Sequence, residues 1–439
     1  MLRFRRPIAG LLVALAMLVV SACGGDDNEK SSTGSSTGQQ ASSNKAVTIN
    51  WWHIANNEPL KSIWKNAADQ YHAQHPNVTI KITVLENEAF KAKLTTAMQA
   101  GKPPDVFQSW GGGTMNEQAQ AGLIKDISGD TKSWIGTLNP AGVKLYQIDG
   151  KQYGVPYNLG VVGVWYNKKL FRQAGIDGPP TTWDEFLGDV QKLKSAGITP
   201  LAVGEKDKWP GMFWWANLSL RIAGKDAMAQ AGENGSFDEA GFVEAGKQLK
   251  RLIDMKPFQP GFLAAPWDGA GGEAATMANN RAAMDLMGQW APFTFDANAK
   301  KKKGLRENLG WFAFPTVAGG KSQPTEYFGG GDGFAIGKDA PPEAVDFVKW
   351  LVSPQVGSKG GESGAILPTA KGTETSVKDP NMKAVLDARA EASFVQLYLD
   401  QAYAPAVGQA VNDAVQQLFA GKATPEQVSQ KIATAAKQG

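Results

Sequence analysis

An alternation of strand-like and helix-like patterns in the first quarter of the chain restricts its fold more than any other feature. Strand patterns cover residues 47–52, 78–84 and 104–109, and apolar residues at helical spacing fill the segments between them. Strands separated by helices predict a mostly parallel sheet in an α/β fold. The carboxyl ends of such strands share one edge of the sheet, which is where open α/β sheets bind ligands.

Polar and aromatic side chains follow two of these strands. The third strand ends in Trp110 and three glycines, so the backbone there can bend and admit a ligand. Trp110 offers an apolar face with one N–H, and Gln108 offers paired donors and acceptors. Asn56, Asn57 and Glu58 follow the first strand at the same edge, and Asn57 is also a predicted cap of the next helix. These groups suit a neutral, hydroxyl-rich molecule; the alternative is a core tryptophan beside a flexible turn.

The N-terminal residues 1–22 are expected to be a signal peptide. A basic segment with three arginines precedes the apolar run Ile8–Val20, whose thirteen residues are too few to span a bilayer. Small residues then lead into Cys23, the only cysteine of the chain. The pattern resembles the lipobox of bacterial lipoproteins, which implies lipidation of Cys23. Residues 23–45, rich in Ser and Gly, are predicted to be a flexible tether. The alternative is a signal cleaved nearby with an incidental cysteine.

The charge balance argues against a nucleic-acid partner. The chain has 45 basic and 42 acidic residues, and removal of residues 1–22 takes away three arginines and no carboxylate. The remaining chain would carry 42 of each, a net charge near zero. The basic run Lys300–Lys303 is expected to be a solvated loop.

A series of motifs from about residue 47 to the C-terminus resembles the family 1 extracellular solute-binding proteins. Individually the motifs are weak, but they occur in the family's order. They are Tyr153–Gly160, Val161–Lys168, Thr182–Glu185, Asn280–Trp290, Phe328–Ile336, Ala344–Leu351, Gly364–Pro368 and Thr424–Gln427. Two of them, Thr182–Glu185 and Thr424–Gln427, also have the sequence of a helix capping box.

The resemblance implies a two-lobed periplasmic-binding-protein fold of class α/β. Each lobe would be a mostly parallel sheet flanked by helices, with the ligand cleft between the lobes. Carried onto this chain, residues 46–156 and 332–372 would form lobe 1, and residues 157–331 and 373–439 would form lobe 2.

The same resemblance implies a set of ligand-binding residues at the crossings and strand ends. Trp290 matches an aromatic residue that stacks on a sugar ring in family members, and one of Trp209, Trp214 and Trp215 is expected in the core. Together with the candidates above, the predicted set is Asn57, Glu58, Gln108, Trp110, Asn158, Trp209, Trp215, Trp290, Asp332, Tyr398, Asp400 and Gln401.

The function implied is that of a lipid-anchored, monomeric binding protein on the outer face of the cytoplasmic membrane. It would capture an oligosaccharide, expected to be β-linked and of two or a few units. It would deliver this ligand to the transmembrane subunits of an ABC permease. No cofactor or metal is expected. The acidic and basic pair that maltose-binding members carry after the third strand is replaced by glycines here. This departure argues against specificity for maltose.

Two alternatives to a sugar-binding protein stay open from the sequence. A secreted glycosidase needs two carboxylates on either side of a scissile bond, and Glu58, Asp332 and Asp400 could converge. A binding protein for another solute is the second alternative, although acidic ligands would call for arginine clusters that the predicted cleft turns lack. The three histidines have no cysteine partner, so neither a zinc site nor a Ser–His triad is supported.

Overall fold

The structure is a computed structural model that describes residues 45–300 and 305–438. The predicted signal peptide, Cys23 and the tether up to residue 44 lie outside the described residues, as does most of the basic run. The chain from Lys45 onward forms one compact unit. Within the described ranges, no helix combines the length and the apolar character needed to cross a membrane.

The strands of the described residues form two larger sheets and one two-stranded ribbon. They are β1 (Val47–His53), β2 (Val78–Val84), β3 (Val106–Ser109), β4 (Gln147–Ile148), β5 (Lys151–Gln152), β6 (Gly154–Val161), β7 (Gly163–Asn167), β8 (Leu201–Ala202), β9 (Met284–Met287), β10 (Leu309–Ala313), β11 (Glu326–Ile336) and β12 (Phe394–Leu397).

Both larger sheets are mixed. The six-stranded sheet has the order β12–β11–β3–β1–β2 with β6 also paired to β11. Its β1–β2, β1–β3 and β11–β12 pairs are parallel, but β11 runs antiparallel to β3 and β6. The four-stranded sheet, β10–β7–β9–β8, contains one parallel and two antiparallel pairs. The prediction of a mostly parallel sheet is therefore wrong for lobe 2, because β7 runs antiparallel to both of its neighbours, β9 and β10.

The helices flank the two sheets. They are α1 (Leu60–Gln74), α2 (Asn87–Gln99), α3 (Gly112–Gln120), α4 (Ser128–Thr131), α5 (Pro140–Lys144), α6 (Lys168–Gln173), α7 (Trp183–Ser195), α8 (Trp209–Ala223), α9 (Lys225–Asn234), α10 (Ala240–Asp254), α11 (Glu273–Ala278), α12 (Ala291–Asn298), α13 (Glu343–Leu351), α14 (Pro354–Ser363), α15 (Pro380–Glu391), α16 (Leu399–Ala402), α17 (Pro405–Phe419) and α18 (Pro425–Gln438).

Local signals of the sequence explain how several helices begin. At α7, Thr182 and Glu185 form the predicted capping box, in which each side chain accepts a backbone N–H of the other residue. Thr424 and Gln427 make the same reciprocal pair at α18. The prediction of Asn57 as the cap of α1 is wrong: Pro59 occupies the N-cap position, and the Glu58 carboxylate accepts the Ser62 N–H of the first turn at 3.2 Å. The Asn57 side chain points elsewhere, as described below.

Three sets of buried apolar residues form separate cores. One joins Trp51 of β1 and Trp64 of α1 to residues 334–370. A second, smaller set joins α2 to Phe107 of β3. The third joins residues 161–328 to the helices near the C-terminus. The lobe boundaries inferred from the sequence stay a prediction.

The chain passes between the lobes through strands that lie in close contact. β6 belongs to the six-stranded sheet and β7 to the four-stranded sheet, with Val162 between them donating its N–H to the Phe328 carbonyl at 2.8 Å. The glycines of β11 make this contact possible: a Cβ at Gly329 would lie 2.6 Å from the Gly160 oxygen. A Cβ at Gly330 would lie 2.7 Å from the Tyr398 ring. Small residues at the crossing therefore bring the ring of Tyr398 and the strands together.

Candidate functional site

A cavity of about 970 Å³, counting space open to solvent, lies where the two lobes meet. Lobe 1 contributes the loop after β1, the first turn of α2, and Trp110 at the end of β3. The crossing strands contribute Asn158 and Asp332. Lobe 2 contributes residues of α8, α12, α16 and the loop before α11. The strand ends thus meet at one site, as the α/β pattern predicts.

Five aromatic side chains form one side of the cavity, which we call the aromatic wall: Trp209, Phe213, Trp267, Trp290 and Tyr398. Edge-to-face contacts link Trp290 to Trp209, Phe213 and Tyr398, with ring centroids 6.4, 6.3 and 5.9 Å apart. Trp209 also meets Trp267 edge to face at 5.9 Å. Because each ring is held by others, the wall is rigid before any ligand arrives.

Trp290 takes its position from the turn between β9 and α12. Gly288 allows the indole to fold back over this turn, since a Cβ there would lie 2.2 Å from the Trp290 ring. Trp290 is half-buried, and its neighbours leave part of the ring open to the cavity. The indole N–H of Trp209 and the hydroxyl of Tyr398 have no hydrogen-bond partner among the described residues. Buried polar groups are normally paired, so these two are unsatisfied groups within the wall.

Asp332 lines the same cavity from β11, at a β-bulge between Asp332 and Gly333. Its carboxylate accepts hydrogen bonds from Gln108 Nε2 at 3.0 Å and from Asn158 Nδ2 at 2.8 Å. Burial raises the pKa of Asp332 to about 6, although donation from Asn158, Trp110 and Gln108 opposes the rise. The carboxylate is thus ionised at neutral pH and retains acceptor capacity.

The amides around Asp332 are themselves fixed. Gln108 Oε1 accepts the Tyr157 hydroxyl at 3.2 Å, and Asn158 Oδ1 accepts the Leu367 N–H at 2.7 Å. Gln108 is 1% exposed and does not line the cavity. Toward this cavity Gln108 therefore orients Asp332 and is not a contact, because both ends of its amide have protein partners; it lines the second cavity described below.

Charged side chains close the cavity beside Trp110. Lys91 of α2 pairs with Asp400 of α16 at 3.1 Å, and its ammonium lies 5.6 Å from the centre of the Trp110 ring. Gln401 Nε2 donates to the same Asp400 oxygen at 3.2 Å. The Asp400 and Gln401 side chains are therefore held by residues from both lobes.

At the rim, Asp268 of lobe 2 contacts lobe 1 across the cavity. Its Oδ2 accepts Asn57 Nδ2 at 2.7 Å and Asn56 Nδ2 at 3.4 Å. Its Oδ1 accepts Asn298 Nδ2 at 2.6 Å and the Gly269 N–H at 2.7 Å. Donors from its own lobe orient this carboxylate, and the asparagines of the other lobe then bind it. We call the Asp268–Asn57 contact the rim bridge.

Nine of the twelve predicted binding residues line the cavity: Asn57, Trp110, Asn158, Trp209, Trp290, Asp332, Tyr398, Asp400 and Gln401. Besides Gln108, two predictions are wrong in position. Glu58 is exposed and its carboxylate accepts the Ser62 N–H at 3.2 Å, on the outer side of the loop. Trp215 is fully buried and packs on Phe242, with ring centroids 5.9 Å apart. Trp214 is buried as well, so both residues lie in the core where the sequence analysis expected one.

Several lining residues were not predicted, among them Lys91, Phe213, Trp267, Asp268 and Thr294. Trp267 and Asp268 had a usable signal. They lie in a loop rich in Gly and Pro, just as Trp110 precedes three glycines. An aromatic residue in such a loop has no periodic core face to pack on, which favours a binding role.

The histidines do not add metal or acid–base chemistry to this site. His53 is 1% exposed, and burial lowers its pKa to about 3, so its ring is neutral. Its Nδ1 accepts the Ala55 N–H at 3.2 Å. In residues 45–300 and 305–438, no group of three or more His, Cys, Asp or Glu side chains could hold a metal ion.

Comparison with known families decides what kind of protein has this cavity. The family profile of the bacterial extracellular solute-binding proteins matches residues 55–358, more than half of the 439-residue chain. The chain belongs to the bacterial extracellular solute-binding protein family.

Three proteins illustrate what this solute-binding protein is similar to. The diacetylchitobiose binding protein DasA of Streptomyces coelicolor is 25% identical over 395 residues, covering 85% of this chain and 84% of the relative. A structure solved in work on xylan utilization by Caldanaerobius polysaccharolyticus is 29% identical with a TM-score of 0.81, covering 88% of this chain and 99% of that one. A chitin oligosaccharide binding protein is 26% identical with a TM-score of 0.81, covering 90% and 98%. All three are matched over most of their length.

The rim bridge gives a testable consequence for closure of this solute-binding protein. Asp268→Ala removes the acceptor of Asn57, so the closed arrangement loses about 1 kcal/mol and ligand affinity falls about fivefold. Small-angle X-ray scattering of the ligand-free variant should give a larger radius of gyration than wild type. Asp254→Ala, at an exposed ion pair with Lys250, is the matched control and should change neither value. Equal radii and affinities for Asp268→Ala and wild type would contradict a closing role.

Two buried carboxyl groups of lobe 2 interact electrostatically. Glu273 of α11 and Asp285 of β9 are 1% and 0% exposed, and the charge of Asp285 acts on Glu273. Burial raises the pKa of both groups, that of Asp285 to about 7, and the Asp285 charge raises that of Glu273 as well. The buried Glu205 carboxylate nearby adds to the rise at Glu273.

This pair should make the protein lose stability as pH rises. The Asp285 carboxyl binds its proton more tightly in the folded state than in the unfolded state. Its contribution to stability is therefore complete below about pH 4 and is lost as the pH rises to about 7. The contribution is at most about 4 kcal/mol. In urea unfolding at pH 5 and pH 8, Asp285→Asn should show a smaller difference than wild type. Asp346→Asn, at an exposed position, should leave the difference unchanged; an unchanged difference for Asp285→Asn would refute the assignment.

Proposed function

We propose that this chain captures a neutral oligosaccharide outside the cell and delivers it to an ABC permease. The observation that carries the proposal is the aromatic wall of lobe 2 lining one cavity together with the Asp332 carboxylate. Sugar rings have apolar faces that stack on indoles, and their hydroxyls need fixed polar partners around the edge. Sugar recognition requires both features, and the two line the same space.

The charge of the lining residues favours a neutral ligand over an anionic one. Among the described residues that line the cavity, Lys91 is the cation, and it already contacts Asp400 and Glu88 at 3.1 and 3.5 Å. Arginines suit phosphate and carboxylate ligands, but the lining residues include none. Asp268, Asp332 and Asp400 would repel an anion.

We infer that the ligand is a β-linked sugar of two or a few units. Two similar proteins are named for diacetylchitobiose and chitin oligosaccharide, and a third was solved in work on xylan utilization. Chitin and xylan are β-linked polymers. Four lining tryptophans, Trp110, Trp209, Trp267 and Trp290, offer more aromatic surface than one sugar ring covers.

Calorimetric titration of the chain from Lys45 onward tests the ligand class. Xylo-, cello- and chito-oligosaccharides are compared with malto-oligosaccharides and with glycerol 3-phosphate as an anionic control. We expect micromolar binding of at least one β-linked series, about −8 kcal/mol, and no binding of the anion. If glycerol 3-phosphate bound and none of the sugars did, the ligand would be an anionic solute and the proposal would be wrong.

We infer that the protein is not an enzyme and acts by closing on its ligand as a monomer. A ligand that contacts both lobes stabilises the closed state, which a permease can then recognise. Incubation of the protein with a bound oligosaccharide should leave its length unchanged in anion-exchange chromatography. Accumulation of shorter sugars would revive the hydrolase alternative.

We further propose that Cys23 carries a lipid that holds the protein at the outer face of the cytoplasmic membrane. The apolar run ending in small residues before this cysteine supports the proposal. Cells fed an alkyne fatty acid should label the wild-type chain, and Cys23→Ala should abolish the label and release the protein from membranes. Ser21→Thr is the conservative control that should keep the label. Undiminished labelling of Cys23→Ala would defeat the anchor.

A further inference from the structure

A second cavity of about 1480 Å³, again counting space open to solvent, lies next to the first. Helices α2, α3 and α17 surround it together with the end of β3. Lys91, Trp110, Asp400 and Gln401 line both cavities, so these four side chains form the partition between them. We call the second cavity the outer compartment.

The partition consists of side chains that can hydrogen-bond with a sugar chain passing beside them. Lys91 and Asp400 are 28% and 11% exposed, so water still reaches both charged groups. The amide of Gln401 points at Asp400, and the Trp110 ring lies beneath Lys91. A ligand that fills the first cavity therefore meets polar groups and an indole at its outer end.

The outer compartment continues the chemistry of the first cavity. Phe90 meets the indole of Trp110 edge to face, with ring centroids 6.0 Å apart. Neutral amide and hydroxyl side chains such as Thr114, Gln118 and Asn412 make up much of the remaining lining.

Two oxygens of this lining lack the partner that a buried acceptor normally has. Gln118 Oε1 and Asn412 Oδ1 accept no hydrogen bond from any part of the chain that the structure describes. Asn412 is 9% exposed. Buried acceptors without a partner are rare in folded proteins.

We propose that the outer compartment binds the further sugar units of a chain whose first units occupy the cavity between the lobes. The inference rests on the proposed function and extends it to ligand length: the preferred ligand is longer than a disaccharide. Sugar hydroxyls would hydrogen-bond with Lys91 and Asp400 at the junction and with Gln118 and Asn412 beyond it.

Two adjacent threonines of α2 provide a matched test. Thr95 lines the outer compartment and Thr96 does not, but both are exposed. Each hydroxyl donates to the carbonyl four residues earlier, at 2.8 and 3.0 Å. Thr95→Trp should fill the outer compartment, and Thr96→Trp should place the same side chain in solvent. Asn412→Leu removes one unpaired acceptor as an independent third variant.

The measurement is the affinity of each variant for chito- and xylo-oligosaccharides of two to five units, by calorimetry on folded protein. We expect wild type and Thr96→Trp to bind the tetrasaccharide at least tenfold more tightly than the disaccharide. Thr95→Trp should abolish this gain and leave disaccharide affinity unchanged, and Asn412→Leu should reduce it. Equal wild-type affinities for all lengths, or a gain that survives in Thr95→Trp, would overturn the inference while disaccharide binding still supports the proposed function. Absence of binding at any length would overturn both.

Discussion

Replacing Trp290 with alanine is expected to weaken oligosaccharide binding at least 30-fold while the protein stays folded. Trp290 is the ring that joins Trp209, Phe213 and Tyr398 into one wall. Its removal takes away a stacking surface and loosens the other rings. Aromatic residues at the centre of a binding site cost at least 2 kcal/mol when truncated, and 2 kcal/mol is about 30-fold in affinity.

Trp350→Ala is the matched control for this experiment. Trp350 is also half-buried, but it packs on the core of lobe 1 and donates its indole N–H to the Ala67 carbonyl at 2.8 Å. This variant should lose stability and keep its affinity, whereas Trp290→Ala should lose affinity. Both quantities are obtained from calorimetric titration and urea unfolding of the same samples. Full affinity of Trp290→Ala would exclude a stacking role.

Replacing Asp332 with alanine should reduce affinity about 100-fold. The carboxylate lines the cavity, where it can accept ligand hydroxyls, and each charge-assisted hydrogen bond contributes about 1.5–3 kcal/mol. The substitution also frees Gln108 and Asn158, which now donate to this carboxylate. Asp339→Ala, at an exposed position seven residues later, is the control and should bind normally.

The pH dependence of wild-type binding gives a second measure of Asp332 that requires no substitution. Because burial raises its pKa to about 6, the carboxylate is ionised above pH 7 and becomes protonated as pH falls. Affinity should be constant above pH 7 and about tenfold lower at pH 5, since the protonated group loses its charge. An affinity that does not change between pH 5 and pH 8, with normal binding by Asp332→Ala, would remove Asp332 from the site.

The sequence predicted the site best where strand ends and turns determine side-chain direction. Trp110 and Asn57 follow parallel strands whose carboxyl ends must share an edge, and both line the cavity. The motif containing Asp332 indicated a crossing strand, and that strand forms the bottom of the cavity. These features depend on local backbone geometry, which a sequence specifies directly.

The predictions are wrong where the local sequence pattern does not indicate which way a side chain points. Helix α8 is buried on nearly all sides, so its apolar residues show no stripe that distinguishes the cavity face from the core. Trp209 and Phe213 are four residues apart and share the cavity face, whereas Trp215 lies on another face of the helix. Asn57 was expected to cap α1, but its amide contacts Asp268 across the cavity. Only the approach of the two lobes determines that contact.

A crystal structure of the chain from Lys45 onward with a β-linked oligosaccharide would test the central claim most directly. We predict one sugar ring lying flat on Trp290 and a hydroxyl about 2.6–3.0 Å from the Asp332 carboxylate, with both lobes in contact with the ligand. A sugar bound on an outer surface, with the space between Trp290 and Asp332 empty, would contradict the claim.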